Sequence, residues 1–131
     1  MRTNQGKLVV NVAEKDILLK RFVGDFRKIS GVEGCVITSS DGAILASDVS
    51  GNVNEEELGA ITVFSAGIGS QLDSELKLGK LEKIVVEGPD YKIISIQSGP
   101  VFVGLSTAAN VSVDMISSEV QDIASKLKEV V

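Results

Sequence analysis

No histidine occurs anywhere in the 131 residues of the chain. That absence removes the commonest general base, the commonest metal ligand and every Ser-His or Cys-His nucleophile pair, so most hydrolase mechanisms fall away. Tryptophan is missing too, and aromatic residues make up only 4%. The core must then be Val, Ile and Leu, and a stacking platform for bases or sugars has little to work with. Cys35 is the single cysteine, which rules out an intrachain disulfide or a cysteine metal cluster and is compatible with a reducing compartment. With no histidine beside it, Cys35 reads as a small buried hydrophobe rather than a nucleophile. No apolar run approaches the roughly 20 residues of a membrane helix, and a signal-peptide pattern is absent. A cytoplasmic protein without direct membrane insertion is expected.

Positive charge is missing from the middle of the chain. Ile29 to Leu76 holds eight acids and no Lys or Arg, whereas residues 1–28 hold seven basic and three acidic side chains. From Lys77 on, the balance is six against seven. A formal net charge of −5 offers no basic surface for phosphates, so nucleic acid is not an expected partner. A basic protein would instead be steered toward the acidic middle.

What is present is enough for one ordinary soluble domain: 44% hydrophobic and 24% charged residues, in a chain long enough to carry its own core. Its organising stretch is Asn54 to Leu76. Asn54 with Glu57 forms a capping arrangement, and Glu55, Glu56 and Glu57 complement the helix dipole. Leu58, Ile61, Ser65, Ile68, Leu72 and Leu76 recur at helical spacing, a stripe expected to face the core. Leu58 to Leu72 is also fifteen residues without a charge, unlike an ordinary surface helix. The opposite side carries Ala60, Val63, Phe64, Gly67, Gln71 and Ser74, a small, mostly apolar face that a second protein surface is expected to cover. Burying Val63 and Phe64 alone would contribute roughly 3–6 kcal/mol before association costs. Gly59, Gly67 and Gly69 each cost about 0.8–1.0 kcal/mol in a helix relative to Ala, which a closely approaching backbone or a local bend would explain.

In chain order, residues 1–15 read as an arm or extra strand, followed by a single domain over 16–131. Asn11 with Glu14 opens a first helix whose stripe is Leu18, Phe22, Phe26 and Ile29, ending near Ser30-Gly31. Gly34–Ser39 and Ala43–Ser47 flank Ser40-Asp41-Gly42, a hairpin signal. After the long helix, stopped at Gly79, come three strands, Leu81–Glu87, Tyr91–Gln97 and Val101–Thr107, separated by Gly88-Pro89-Asp90 and Ser98-Gly99-Pro100. Glu82, Lys83 and Glu87 mark the first of these as an edge strand. Asn110 or Ser112 caps a last helix with Ile116, Val120, Ile123, Leu127 and Val130 buried. The order α-β-β-α-β-β-β-α implies an α+β fold: a five-stranded antiparallel sheet with the long helix on one face and the terminal helices on the other. Gly67-Ile68-Gly69 lacks the third glycine, lysine and preceding strand of a phosphate loop. Asp41 and Asp48 are too few ligands for a metal.

The element order, the hairpin VITSSDGAIL at Val36 to Leu45, the charge-poor helix and the run GPVFVGLSTAANVS at Gly99 to Ser112 together resemble the Roadblock/dynein light chain domain, in its prokaryotic, GTPase-regulating form. The resemblance covers roughly Asp16 to Val131. It implies a non-catalytic scaffold without cofactor or metal. It also implies a homodimer formed through the long helix and the third strand, and binding of a Ras-like small GTPase or another Roadblock-type subunit. By position it places Ala60, Val63, Phe64, Gly67, Gln71 and Ser74 on the shared helix face and Ile84 and Val86 on the strand that meets its twin. Two alternatives stay open: a small-ligand sensor with a pocket between sheet and helix, and a light-chain-type adaptor in a larger complex. A catalyst using Asp or Glu carboxylates alone has the least support.

Overall fold

The computed structural model describes residues 11–79, 81 and 83–131. The element order is α1 (Val12–Arg27), β1 (Val32–Thr38), β2 (Ile44–Val49), α2 (Glu55–Leu76), β3 (Lys83–Glu87), β4 (Tyr91–Ser98), β5 (Val101–Ala108) and α3 (Val113–Val130). This is the expected α+β order. The strands form one antiparallel sheet in the order β2-β1-β5-β4-β3. The residues before Asn11, and Lys80 and Glu82, lie outside the described residues; Leu81, the proposed start of the third strand, is described and lies outside β3, which begins at Lys83. Of the arm proposed for residues 1–15, Val12 to Lys15 belong to α1.

Local chemistry accounts for the element ends. Asn11 accepts from the Glu14 amide at 2.8 Å and Asn54 from the Glu57 amide at 3.0 Å, so both helices start where a side chain supplies a partner to an orphan donor. The β1–β2 hairpin closes with the Ser39 amide donating to the Ala43 carbonyl at 2.9 Å. Gly42 takes the left-handed position at φ 92°, as a three-residue loop requires. The Ser39 hydroxyl and the Ala43 amide both donate to Asp41 Oδ1. The end of α2 departs from expectation. Lys77, not glycine, adopts the left-handed cap at φ 54°, with its amide donating to the Asp73 carbonyl. Ser112 takes the N-cap position of α3 without a side-chain hydrogen bond.

The two faces of the sheet are packed by different means. On the α1/α3 face Leu19, Phe22, Phe26, Ile37, Ile94, Leu105, Val120 and Leu127 belong to one large apolar core. Cys35 is fully buried there, and burial pushes its thiol far up, with nearby Asp48 adding to the effect. Arg27 ties the end of α1 to the sheet through Asp48 at 3.4 Å and the Val32 carbonyl at 2.7 Å. On the α2 face the apolar core is small: Val36, Leu58 and Ile93.

Candidate protein interface

Helix α2 rests on the sheet through small residues. Its buried positions are Leu58, Gly59, Thr62, Ser65 and Gly69. A Cβ at Gly104 of β5 would lie 3.0 Å from the Thr62 Cβ, and one at Gly69 would lie 3.2 Å from Ile84 Cγ1, so glycine on each side lets backbone and side chain meet. Thr62 donates to the Leu58 carbonyl at 2.6 Å, and Ser95 of β4 donates to the Thr62 carbonyl at 2.9 Å. The helix is therefore docked by close approach and hydrogen bonds more than by large side chains.

This corrects the core stripe expected from periodicity. Leu58 and Ser65 are buried, but Ile61, Ile68, Leu72 and Leu76 are exposed, Leu76 by 63%. Large aliphatic side chains would hold the helix too far from Gly104 and Ser95, so the small residues turn inward and the large ones turn out. The glycines carried the usable signal. Gly59 and Gly69 are points of close approach, whereas among the described residues nothing lies within 4 Å of a Cβ added at Gly67.

The consequence is a helix with far more uncovered apolar surface than its outer face alone suggests. Of the residues assigned to that face, Ala60, Phe64, Gly67, Gln71 and Ser74 are exposed and Val63 is half-buried. Phe64, 71% exposed, stands next to the misassigned stripe residues Ile61, Ile68 and Leu72, forming a continuous flank at helical spacing. Gly59 and Val63 on the other flank lie beside Ile44 and Gly42 of the β2 hairpin. By rotation around the helix, the Ile61–Phe64–Ile68–Leu72 flank turns toward the opposite sheet edge, that of β3.

At that edge Ile84 is half-buried against Gly69, and Val86 is 48% exposed on the same face. Among the described residues no strand pairs with the outer side of β3. The acids at the start of α2 serve the fold in part, since Glu55 accepts from the Ser47 hydroxyl at 2.6 Å. Arg21 is exposed on α1, and Arg27 is occupied by Asp48.

A cleft of about 280 Å³ opens between the second half of α2 and the start of β3, lined by Ser70, Asp73, Leu81, Ile84 and Gln97 among others. Among the described residues no hydrogen-bond donor reaches the buried Asp73 Oδ1 atom there. Among the described residues no group of three His, Cys, Asp or Glu side chains could hold a metal, and no helix is long and apolar enough to cross a membrane.

The class defined by this architecture is a small α+β domain in which one antiparallel sheet separates a long, lightly seated helix from a pair of terminal helices. Within that class the chain belongs to the Roadblock/LC7 domain family, whose model matches residues 18–107. The protein MJ0714 of Methanocaldococcus jannaschii is 28% identical over 111 residues, covering 85% of this chain and 94% of its own. Among solved structures, a Roadblock/LC7 domain from Streptomyces avermitilis superposes with a TM-score of 0.73 at 12% identity, over 83% of this chain and 93% of that one. Myxococcus xanthus MglB superposes with a TM-score of 0.71 at 12% identity, over 92% and 90%.

Proposed function

We propose that the protein is a non-catalytic, cytoplasmic, homodimeric scaffold that binds a Ras-like small GTPase through α2. The observation that carries this reading is the exposed apolar flank of α2, Ile61, Phe64, Ile68 and Leu72, running toward an unpaired sheet edge. A wet patch of this kind is unusual on a monomer and typical of an interface. The GTPase rests on family membership and on the acidic middle of the chain, which would steer a basic partner surface. The flank and the β3 edge would serve self-association, and the outer face with Ala60, Val63, Phe64, Gly67, Gln71 and Ser74 would be shared with the GTPase.

If GTP hydrolysis is stimulated, no arginine finger supplies it from α2, because that helix contains no arginine. Reordering of the partner's own switch loops is the mechanism that remains. Light scattering and pull-down of a nucleotide-loaded Ras-like GTPase, with wild type and Phe64→Glu, test the reading. A strict monomer at high concentration, or undiminished capture by Phe64→Glu, would sink it. Arg21→Ala should leave any stimulation intact. Arg27→Ala is unsuitable as a control because Arg27 holds Asp48.

The cleft beside Asp73 favours a second reading, a small-ligand sensor. A metabolite that raises the melting temperature of the wild type and not of Asp73→Asn would support it.

A further inference from the structure

The β3–β4 turn is closed by the Gly88 amide donating to the Tyr91 carbonyl at 3.0 Å. Bonded and non-bonded pairs alternate along an antiparallel ladder, so the register of β3 against β4 makes Val86–Ile93 and Ile84–Ser95 the bonded pairs. Lys83, Val85 and Glu87 then aim their backbone N–H and C=O groups away from β4, at the open edge. On the same alternation their side chains lie on the α3 face, where the Lys83 ammonium donates to Ser117 at 2.9 Å. Ile84 and Val86 point to the α2 face.

These facts restrict how the edge can pair with itself. An incoming strand must place its own outward groups opposite Lys83, Val85 and Glu87. Every register that sets an odd-numbered residue opposite an even-numbered one is therefore excluded. Of the registers left, those centred inside the strand are symmetric about Ile84, Val85 or Val86, and all keep both α2 helices on one face of the joined sheet; centring on Lys83 or Glu87 would engage only one end of β3. Symmetry about Ile84 puts Lys83 opposite Val85 and Glu87 opposite Leu81. Symmetry about Val86 puts Glu87 opposite Val85 and Lys83 opposite Pro89, which has no amide to donate. Symmetry about Val85 engages the whole strand and sets Lys83 opposite Glu87 at both ends.

We propose that two copies of this chain join at β3 in the register centred on Val85, with Lys83 of each copy facing Glu87 of the other. The inference rests on the dimer reading above and adds which residues meet and what selects the partner. Ile84 of each copy lies opposite Val86 of the other, in the closer, non-bonded pairs. These pairs extend an apolar floor between the two α2 flanks. The Lys83 ammonium has three donors and keeps Ser117 while meeting the carboxylate. Glu87 receives Lys92 of its own chain at 3.3 Å on Oε1, which leaves its second oxygen for the other copy. A Roadblock-type strand with the same charge at both ends would meet one like-charged neighbour, so the alternation of signs favours a second copy of this chain.

Three single-cysteine variants test the register: Ile84→Cys, Val85→Cys and Val86→Cys. Under mild oxidation a residue links to its own copy only at the symmetry centre, where bonded Cα atoms about 5.5 Å apart are within disulfide reach. Cys35 is buried and does not compete. A covalent dimer from Val85→Cys alone is expected. Linkage through Ile84→Cys or Val86→Cys instead, or none from Val85→Cys in a chain that light scattering finds dimeric, overturns the register and leaves the dimer reading standing. A monomeric wild type removes the dimer itself. Independently, Lys83→Glu and Glu87→Lys should each weaken the dimer on the order of tenfold at low salt, and the double variant should recover it. Unchanged affinity in the single variants, or no recovery in the double, also overturns the proposal.

Discussion

Gly104 of β5 lies directly beneath Thr62 of α2, so close that a Cβ at position 104 would stand 3.0 Å from the Thr62 Cβ and nearer still to its hydroxyl. Thr62 is fully buried and its backbone carbonyl accepts from Ser95, so it has nowhere to move without breaking the seat of the helix. Gly104→Ala should destabilise the protein by about 1–3 kcal/mol in urea unfolding. Adding Thr62→Ala should return part of that loss, because the methyl then has room. Strict additivity of the two changes would refute the contact.

The inverted stripe of α2 makes a second prediction. Leu58→Ala removes a side chain buried with Val36 and Ile93 and should cost about 2–5 kcal/mol. Ile68→Ser, at a position that periodicity alone assigns to the core, should change the stability of the monomer by less than about 0.5 kcal/mol. Dilute samples unfolded in urea distinguish the two.

Association should be visible in thermal melting. If the exposed flank is an interface, the wild-type melting temperature rises with protein concentration, since a partner copy stabilises the folded state by mass action. Phe64→Glu should flatten that dependence while leaving the dilute melting temperature unchanged. A concentration-independent wild type would contradict the dimer.

Lys77 holds a left-handed conformation that an L-residue occupies at a cost of roughly 1–2 kcal/mol. Lys77→Gly should therefore stabilise the chain, by roughly 0.5–1 kcal/mol after the extra freedom of glycine in the unfolded state is charged against it. A fall in unfolding free energy would show that the Lys77 side chain contributes more than its backbone costs.

The hairpin predicts an acid response. The Ser39 hydroxyl first, and the Ala43 amide second, hold Asp41 below its ordinary value of 3.8. A carboxyl lowered in the folded state contributes stability that is fully present above 3.8 and is lost as pH falls through the folded value. Asp41→Asn should lessen the decline of melting temperature below that point and leave the profile above pH 5 parallel to wild type, shifted at most by a constant. An identical acid limb in the two proteins would count against the hydrogen bonds.

Much of this molecule is legible in its residues. Asn11 and Asn54 announce their helices because a capping side chain acts within one turn. Ser40-Asp41-Gly42 announces its hairpin because a three-residue loop needs the positive φ that Gly42 supplies. Of the α3 stripe, Ile116, Val120, Leu127 and Val130 are buried as their spacing implies and Ile123 is half-buried against the same core, since a helix against a broad apolar sheet face has only one way to turn. For α2 the same rule points the wrong way at Ile61, Ile68, Leu72 and Leu76. Periodicity locates an apolar stripe but not what the stripe touches.

The sequence by itself determined the elements, their order and the Roadblock membership, because capping, turn chemistry and strand punctuation are local and act wherever the chain goes. Tertiary structure alone decided which side of α2 faces home. That choice depends on Gly104 and Ser95, more than thirty residues beyond Thr62 in the chain, which open a gap only small side chains can fill. It leaves the bulky ones turned toward the open edge of β3.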